Sequence, residues 1–295
     1  MTDAHLIETD DFIRRHALPP NFRKTISQHY GPLVRWLVDR ARGRDDFLLG
    51  ISGAQGSGKS TLAEYLGLAL PTERGTVAVL SLDDFYLTRP ERRALARQVH
   101  PLLETRGVPG THDIPLLRRQ LDALQALSAG ETLLVPRFDK ATDDRAPKDA
   151  WTRIAGPVSM IVLEGWCVGA RPQAEHELAR AINVLEREED PGGTWRRFVN
   201  ESLRGRYATL NARLDALLYL QVPDFERVFS WRLEQERKLA ARAAGTRVMS
   251  EAELARFILH YERLTLANQR MLPRVADIVM RLDDDHEFVG TDFNG

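Results

Sequence analysis

Gly53-Ala54-Gln55-Gly56-Ser57-Gly58-Lys59-Ser60 is the stretch that decides the fold. It fits G-x-x-x-x-G-K-[ST], a glycine-rich turn whose backbone N–H groups wrap a polyphosphate while the lysine reaches the terminal phosphates. Upstream, Phe47-Leu48-Leu49-Gly50-Ile51-Ser52 is a short apolar run that reads as a buried parallel strand. Downstream, Leu62, Tyr65, Leu66, Ala69 and Leu70 fall on one helical face, and Pro71 stops the helix. Strand, glycine loop and helix N-terminus stand in the order that a nucleotide phosphate site requires.

The rest of the composition narrows the class. The 295 residues are 43% hydrophobic and 28% charged, the balance of a soluble globular protein. A formal net charge of −1 supplies no global basic field, so neither nucleic acid nor an anionic membrane is an expected partner. Cys167 is the single cysteine and has no internal disulfide partner, which fits a reducing, cytoplasmic setting. The N-terminus is polar and acidic rather than signal-like, and no stretch approaches the ~18 apolar residues of a membrane span.

Outward from the loop, residues 1–46 read as a helical extension packed on the core, with Ile26, Tyr30, Leu33, Val34, Leu37 and Val38 as its stripe. Gly31-Pro32 is expected to break it, and the segment carries no evident chemistry. Residues 47–295 are expected to form one domain built around the glycine loop. Its second strand, Thr76 to Leu82, ends at Asp83-Asp84-Phe85-Tyr86, and the third, Val158 to Leu163, ends at Glu164-Gly165. Thr88-Arg89-Pro90-Glu91 opens a short helix with a capping box. The loop 99–113 delivers Asp113 to a helix N-cap, in a helix expected to end at Gly130, and a second polar loop follows Thr132 to Val135 with Arg137, Lys140 and Arg145. Residues 173–213 read as mostly helical. Ala216 to Val222 and Val275 to Met280 are the last two strands, and the acidic tail from Asp283 is expected to fray. Between them lies an arginine-rich helical lid over about 224–249, with Ser250 opening the next helix. Alternating strands and helices imply an α/β fold with one parallel sheet covered on both faces.

Ligands in such sheets gather beyond the carboxyl ends of the strands, where Asp83, Asp84 and Glu164 fall. No Asn-Lys-x-Asp base reader and no Leu-Ser-Gly-Gly signature occurs, which argues against a GTPase and a transporter ATPase. What remains fits a kinase for a small alcohol. The loop amides and Lys59 would hold the β and γ phosphates, and Ser60 would offer its hydroxyl to Mg²⁺. Asp83, with Asp84 as the alternative, would orient the attacking hydroxyl and accept its proton. Glu164 would hold Mg²⁺ or orient Asp83 and substrate, and a lid arginine would neutralise the moving phosphoryl group. A nucleotide-sensing binding module is the reading from outside enzymology, although it needs neither Asp83 nor Glu164. His112 reads foremost as a hydrogen-bonding loop residue, and Cys167 as packing.

Gly53 to Thr61, Ser81 to Thr88, Arg106-Gly107-Val108-Pro109-Gly110-Thr111-His112-Asp113, Pro136 to Lys140, Leu163 to Trp166 and Trp231 to Glu236 together resemble the D-glycerate 3-kinase family. That family sits within the phosphoribulokinase, uridine kinase and pantothenate kinase group, and the resemblance spans roughly 47–282. It implies the P-loop NTPase fold, with five parallel strands in the order 2-3-1-4-5, and an ATP- and Mg²⁺-dependent kinase. It implies Asp83 rather than Asp84 as base, and Asp113 with Arg232 or Arg237 near the acceptor. Asp84, Tyr86, Arg106, His112, Arg137, Lys140 and Arg145 complete the acceptor-side set, the cations pairing the carboxylate of an anionic acceptor such as D-glycerate. A uridine- or pantothenate-type kinase is the enzymatic alternative.

Overall fold

The structure, a computed structural model, describes residues 9–44, 46–242 and 249–294, and of 235–242 the backbone only. In chain order the strands are β1 (Phe47–Gly53), β2 (Thr76–Ser81), β3 (Thr132–Val135), β4 (Phe138–Asp139), β5 (Asp144–Arg145), β6 (Thr152–Ala155), β7 (Val158–Gly165), β8 (Ala216–Gln221), β9 (Ile278–Leu282) and β10 (Phe288–Phe293). The main sheet is ordered β10-β9-β8-β1-β7-β2. Its five parallel members therefore follow the expected 2-3-1-4-5 order. β3 pairs with β6, and β4 with β5, in two small antiparallel ribbons outside that sheet.

Strand alternation divides the interior into two layers. On β1, Phe47, Leu49 and Ile51 face one core cluster and Leu48 faces the other. The first layer holds α1 (Thr9–Arg15), α2 (Phe22–Thr25), α3 (Gly31–Arg40) and α4 (Lys59–Ala69), through Phe12, Tyr30, Leu33, Leu37, Leu62 and Leu66. α5 (Arg89–Gln98) lies between the end of β2 and the 99–113 loop. The second layer is covered by α6 (Ile114–Gln125), by the helices α7 (Val184–Glu189), α8 (Thr194–Ser202) and α9 (Ala208–Asn211), and by α11 (Glu251–Met271). α10 (Phe225–Arg242) is the helical arm expected from the arginine-rich segment. Its root is fixed by Val228 and Trp231, packed with Val222 and Leu282.

Three expectations are corrected. The tail from Asp283 does not fray. The Asp283 carboxylate accepts N–H bonds from Asp285 at 3.0 Å and Glu287 at 2.9 Å, which turns the chain back as antiparallel β10. Phe288 then reaches Tyr30, with ring centroids 5.7 Å apart, and Phe293 stacks on Trp36 at 6.0 Å. Gly31-Pro32 does not break the extension either. A π-turn over Ile26–Tyr30 joins α2 to α3, and proline sits in the first turn of α3, where a missing N–H is harmless. α6 stops at Gln125, five residues before Gly130.

Candidate active site

β1 ends at Gly53, and the chain wraps back over its own end. Gly56 and Gly58 have φ of 80° and 89°, the left-handed region that glycine enters without strain. Gly53 allows a close approach: a Cβ there would lie 2.6 Å from Ser57 Oγ. Ala54 accepts the Ser57 N–H at 3.2 Å, and α4 starts directly at Lys59. Gln55, Gly56, Gly58, Lys59, Ser60 and Thr61 all line a cavity of about 710 Å³.

Sheet register sets the acids against this loop. Glu164 on β7 lies opposite Ile51 of β1 and Ser81 of β2. Ser60 donates to Glu164 Oε1 at 3.0 Å, whereas Oε2 is buried with no protein partner. A serine hydroxyl and an under-satisfied carboxylate suit a hard divalent cation. Among the described residues no three His, Cys, Asp or Glu side chains converge as a metal cage. Such a cation would take its remaining oxygens from phosphate and water, as Mg²⁺ does in phosphoryl-transfer sites.

Asp83 and Asp84 leave the end of β2 in a single 3-10 turn, yet their surroundings differ. Asp83 accepts from Lys140 Nζ at 2.8 Å and from the Tyr86 hydroxyl at 3.0 Å, and it lines the cavity. Burial pushes its carboxyl up, but the Lys140 and Lys59 ammoniums overcome that and hold it well below the usual carboxylate range. Asp84 accepts from the Phe138 N–H at 3.0 Å and from Arg137 at 2.9 Å. There burial prevails over those donors, and its carboxyl is raised. Both acids line the cavity, but only Asp83 is held there below the usual carboxylate range, by the two ammonium groups. The other ties the β4 loop to the end of β2.

The remaining acceptor-side residues divide in the same way. Tyr86, Arg106, Arg137, Lys140, Trp166 and Arg232 line the cavity with Asp83. Arg106 pairs with Asp143 and lies 5.5 Å from the Phe138 ring centroid. His112 and Asp113 are not on the cavity wall. His112 stacks beneath Tyr86 at 4.4 Å, and its Nδ1 shares a 2.6 Å hydrogen bond with the Tyr207 hydroxyl. Burial pushes His112 down to about 4, so the ring is neutral. Asp113 caps α6 through the Leu116 N–H at 3.0 Å and accepts from Arg145 at 3.2 Å. The side chain of Arg237, and residues 243–248 of the expected lid, lie outside the described residues.

Sequence reading missed Arg92, Asp143, Phe257 and Tyr261. Arg92 is fully buried and donates to three segments: the Glu104 carbonyl at 3.1 Å, the Leu87 carbonyl at 2.6 Å and Asp143 Oδ2 at 2.5 Å. It thereby holds the hairpin of β4 and β5 against the 99–113 loop. Tyr261 and Phe257, from α11, close the cavity's far side, and the Tyr261 hydroxyl donates to the Arg106 carbonyl at 3.2 Å.

A phosphate loop, a strand-end carboxylate beside the loop serine and an ionised aspartate across the cavity define a P-loop kinase that acts on small molecules. No protein-family model matches the chain. It is 36% identical over 224 residues to the uncharacterized kinase Mug58 of Schizosaccharomyces pombe, covering 73% of this chain and 78% of that one. It is 33% identical over 251 residues to the chloroplastic D-glycerate 3-kinase of Arabidopsis thaliana, covering 79% of this chain but 52% of the plant protein, about half its length. A D-glycerate 3-kinase structure from Cryptococcus neoformans superposes with a TM-score of 0.72 over 90% of this chain and 99% of that one, and at 23% identity it speaks to the fold. The chain belongs to the D-glycerate 3-kinase family of P-loop kinases. No helix among the described residues is long and apolar enough to cross a membrane.

Proposed function

We propose that the protein transfers the γ-phosphate of ATP to a hydroxyl of a small acidic polyol, with D-glycerate as the first choice. The observation that carries this reading is the setting of Asp83, an ionised carboxylate at the cavity wall with Lys140 on one oxygen and Tyr86 on the other. The acceptor hydroxyl would take one of those places. Its oxygen forms a bond to the γ-phosphorus as the bond to the bridging β,γ oxygen breaks, its proton passes to Asp83, and ADP leaves. Phosphoryl transfer is loose, so Asp83 mainly orients the hydroxyl and accepts the proton late. Lys59 and the loop amides would hold the phosphates, and Arg232, which also lines the cavity, would neutralise the moving group. Ser60 and Glu164 would hold Mg²⁺, which would supply positive charge to the phosphates during transfer.

Lys140, Arg106 and Arg137 on the same wall favour an acceptor with its own negative charge. The name of the plant relative, D-glycerate 3-kinase, supports glycerate among such acceptors. Phe138 and Trp166 also line the cavity, and a nucleoside acceptor could use them for stacking. ADP release, measured separately with D-glycerate, pantothenate, uridine and ribulose 5-phosphate, separates these readings. Stimulation by glycerate above the others is expected, and stimulation by uridine alone would overturn the acidic-acceptor reading.

A further inference from the structure

Tyr261 is only 3% exposed, yet it stands on the wall of the cavity beside the glycine loop. Resting on the acidic-polyol kinase reading above, we propose that Tyr261 sets the length of the acceptor, admitting a glycerate-sized acid and shutting out longer sugar acids.

The first argument is where the ring stands. Phe257, one turn back on α11, lies on the same helix face, 5.0 Å from it between centroids, and lines the cavity with it. Burial pushes the Tyr261 phenol up, the Asp83 charge adds to that, and the charges of Arg106 and Arg232 oppose it. The ring therefore feels both the candidate base and two cations of the same wall. On the reading above, the reacting hydroxyl sits at Asp83 and the acceptor's negative group among the cations. An acceptor lying between them has the phenol ring beside it, and each added carbon presses on that ring.

The second is that the ring has nowhere to go. Its hydroxyl donates to the Arg106 carbonyl at 3.2 Å, and it meets Trp166 edge to face at 4.8 Å between centroids. Trp166 Nε1 in turn donates to the Gly107 carbonyl at 2.8 Å. The fit depends on glycine at 107, because a Cβ there would collide with the Tyr261 hydroxyl. Behind the ring, α11 is fixed from outside. Arg263 makes two hydrogen bonds of 2.6 Å to the buried Glu186 of α7, and the Asn183 amide donates to the Leu259 carbonyl at 3.0 Å. The segment that carries Asn183 and Glu186 thus buttresses the wall, and a wall packed on both sides yields little.

Polarity is the third. Every further carbon of a sugar acid brings a hydroxyl that needs a partner once it leaves water. The Tyr261 donor is already spent on the Arg106 carbonyl and Phe257 has none to offer, so those hydroxyls would face carbon.

ADP release with D-glycerate, D-erythronate and D-gluconate, acids of increasing length, tests the assignment in wild type, Tyr261→Leu and Tyr261→Phe. Wild type should favour glycerate over gluconate in kcat/KM by about a hundredfold or more. Leucine keeps an apolar contact with Trp166 but is shorter, so Tyr261→Leu should reduce that ratio about tenfold or more, through a lower KM for gluconate. Tyr261→Met, a second shortened side chain, carries the same expectation should leucine not fold. Tyr261→Phe keeps the ring, so its ratio should stay within about threefold of the wild-type ratio even where its rates fall. Calorimetric MgATP binding and thermal melting report the fold of each variant. A residue that only packs would lower kcat/KM for every acid alike and leave the ratio unmoved, and that result overturns the assignment. So does a wild type that takes gluconate as readily as glycerate, or a Tyr261→Phe that relaxes as far as the shortened variants. The kinase reading fails by a different result, in which no acid stimulates ADP release from wild type, and the length limit then falls with it.

Discussion

Asp83→Asn separates the chemical step from everything else the aspartate does. Asparagine keeps the size of the side chain and an oxygen for the Tyr86 hydroxyl, now 3.0 Å away, but it takes no proton and carries no charge for Lys140. The Lys140 and Asp83 side chains are 62% and 30% exposed, so their pair is screened, and its loss should cost less than about 1 kcal/mol of stability. A positioned general base is worth ~10²–10⁴ in rate, or about 3–5 kcal/mol of barrier. Transfer should therefore fall by at least about a hundredfold while ATP affinity and the melting temperature barely move. Coupled ADP release with the best acceptor, beside calorimetric ATP binding and thermal melting, reads all three. The pH profile then distinguishes the two acids. With its carboxyl held well below the usual range by Lys140 and Lys59, Asp83 keeps kcat/KM flat into mildly acidic solution. Asp84, raised by burial, would put an acid limb above the usual carboxylate range. Transfer surviving Asp83→Asn within about tenfold, or a raised acid limb in wild type, would refute Asp83 as base.

Other outcomes follow from the same geometry. Lys140→Met removes the ammonium 2.8 Å from Asp83, so an acid limb should appear in kcat/KM and the KM for an anionic acceptor should rise by ~10–100-fold; an unchanged profile and KM would count against both roles. Glu164→Gln takes a charge from the oxygen pair it forms with Ser60, and the Mg²⁺ concentration for half-maximal rate should rise about tenfold or more; an unchanged Mg²⁺ titration would place the metal elsewhere. His260 is buried, which pushes it down to about 4. Between the ordinary 6.5 and 4 the unfolded chain binds more protons than the folded one, so stability falls as pH is lowered through that window, by on the order of 3 kcal/mol when it is fully crossed. His260→Leu should make the urea midpoint fall less steeply over that range, with His112, also pushed down to about 4, keeping its share; an equally steep fall would assign the acid sensitivity to His112 and other groups.

What was legible in the chain was local or periodic. The β1–loop–α4 unit reads directly because alternating apolar residues, two left-handed glycines and a helical stripe are properties of neighbours in sequence. Asp83 and Glu164 are legible because each closes an apolar strand, and strand ends in parallel sheets face ligands. Arg92 was not. It sits in a strongly polar helix with no apolar stripe, and it is buried because oxygens from three distant segments converge on it. Asp143 depends on a reversal between two-residue strands, with φ of 56°, that no pattern of that length specifies. His112 and Asp113 were read correctly as loop and cap groups, but position in a loop did not reveal that both turn inward, away from the cavity wall. The tail was misjudged because its acids looked solvated, whereas Asp283 forms the turn and Phe288 and Phe293 find aromatic partners.

The cations of the acceptor side do not wait in the open. Lys140 is paired with Asp83, Arg137 with Asp84, Arg106 with Asp143 and Arg145 with Asp113. A ligand gains there by exchanging partners, which a carboxylate can do and a water molecule cannot. Water is the most abundant nucleophile near any bound triphosphate, and on the proposed reading it meets a base already capped by an ammonium. On the proposed reading, an acceptor that carries both the hydroxyl to be phosphorylated and a negative charge can engage Asp83 and Lys140 together, whereas water offers only the hydroxyl.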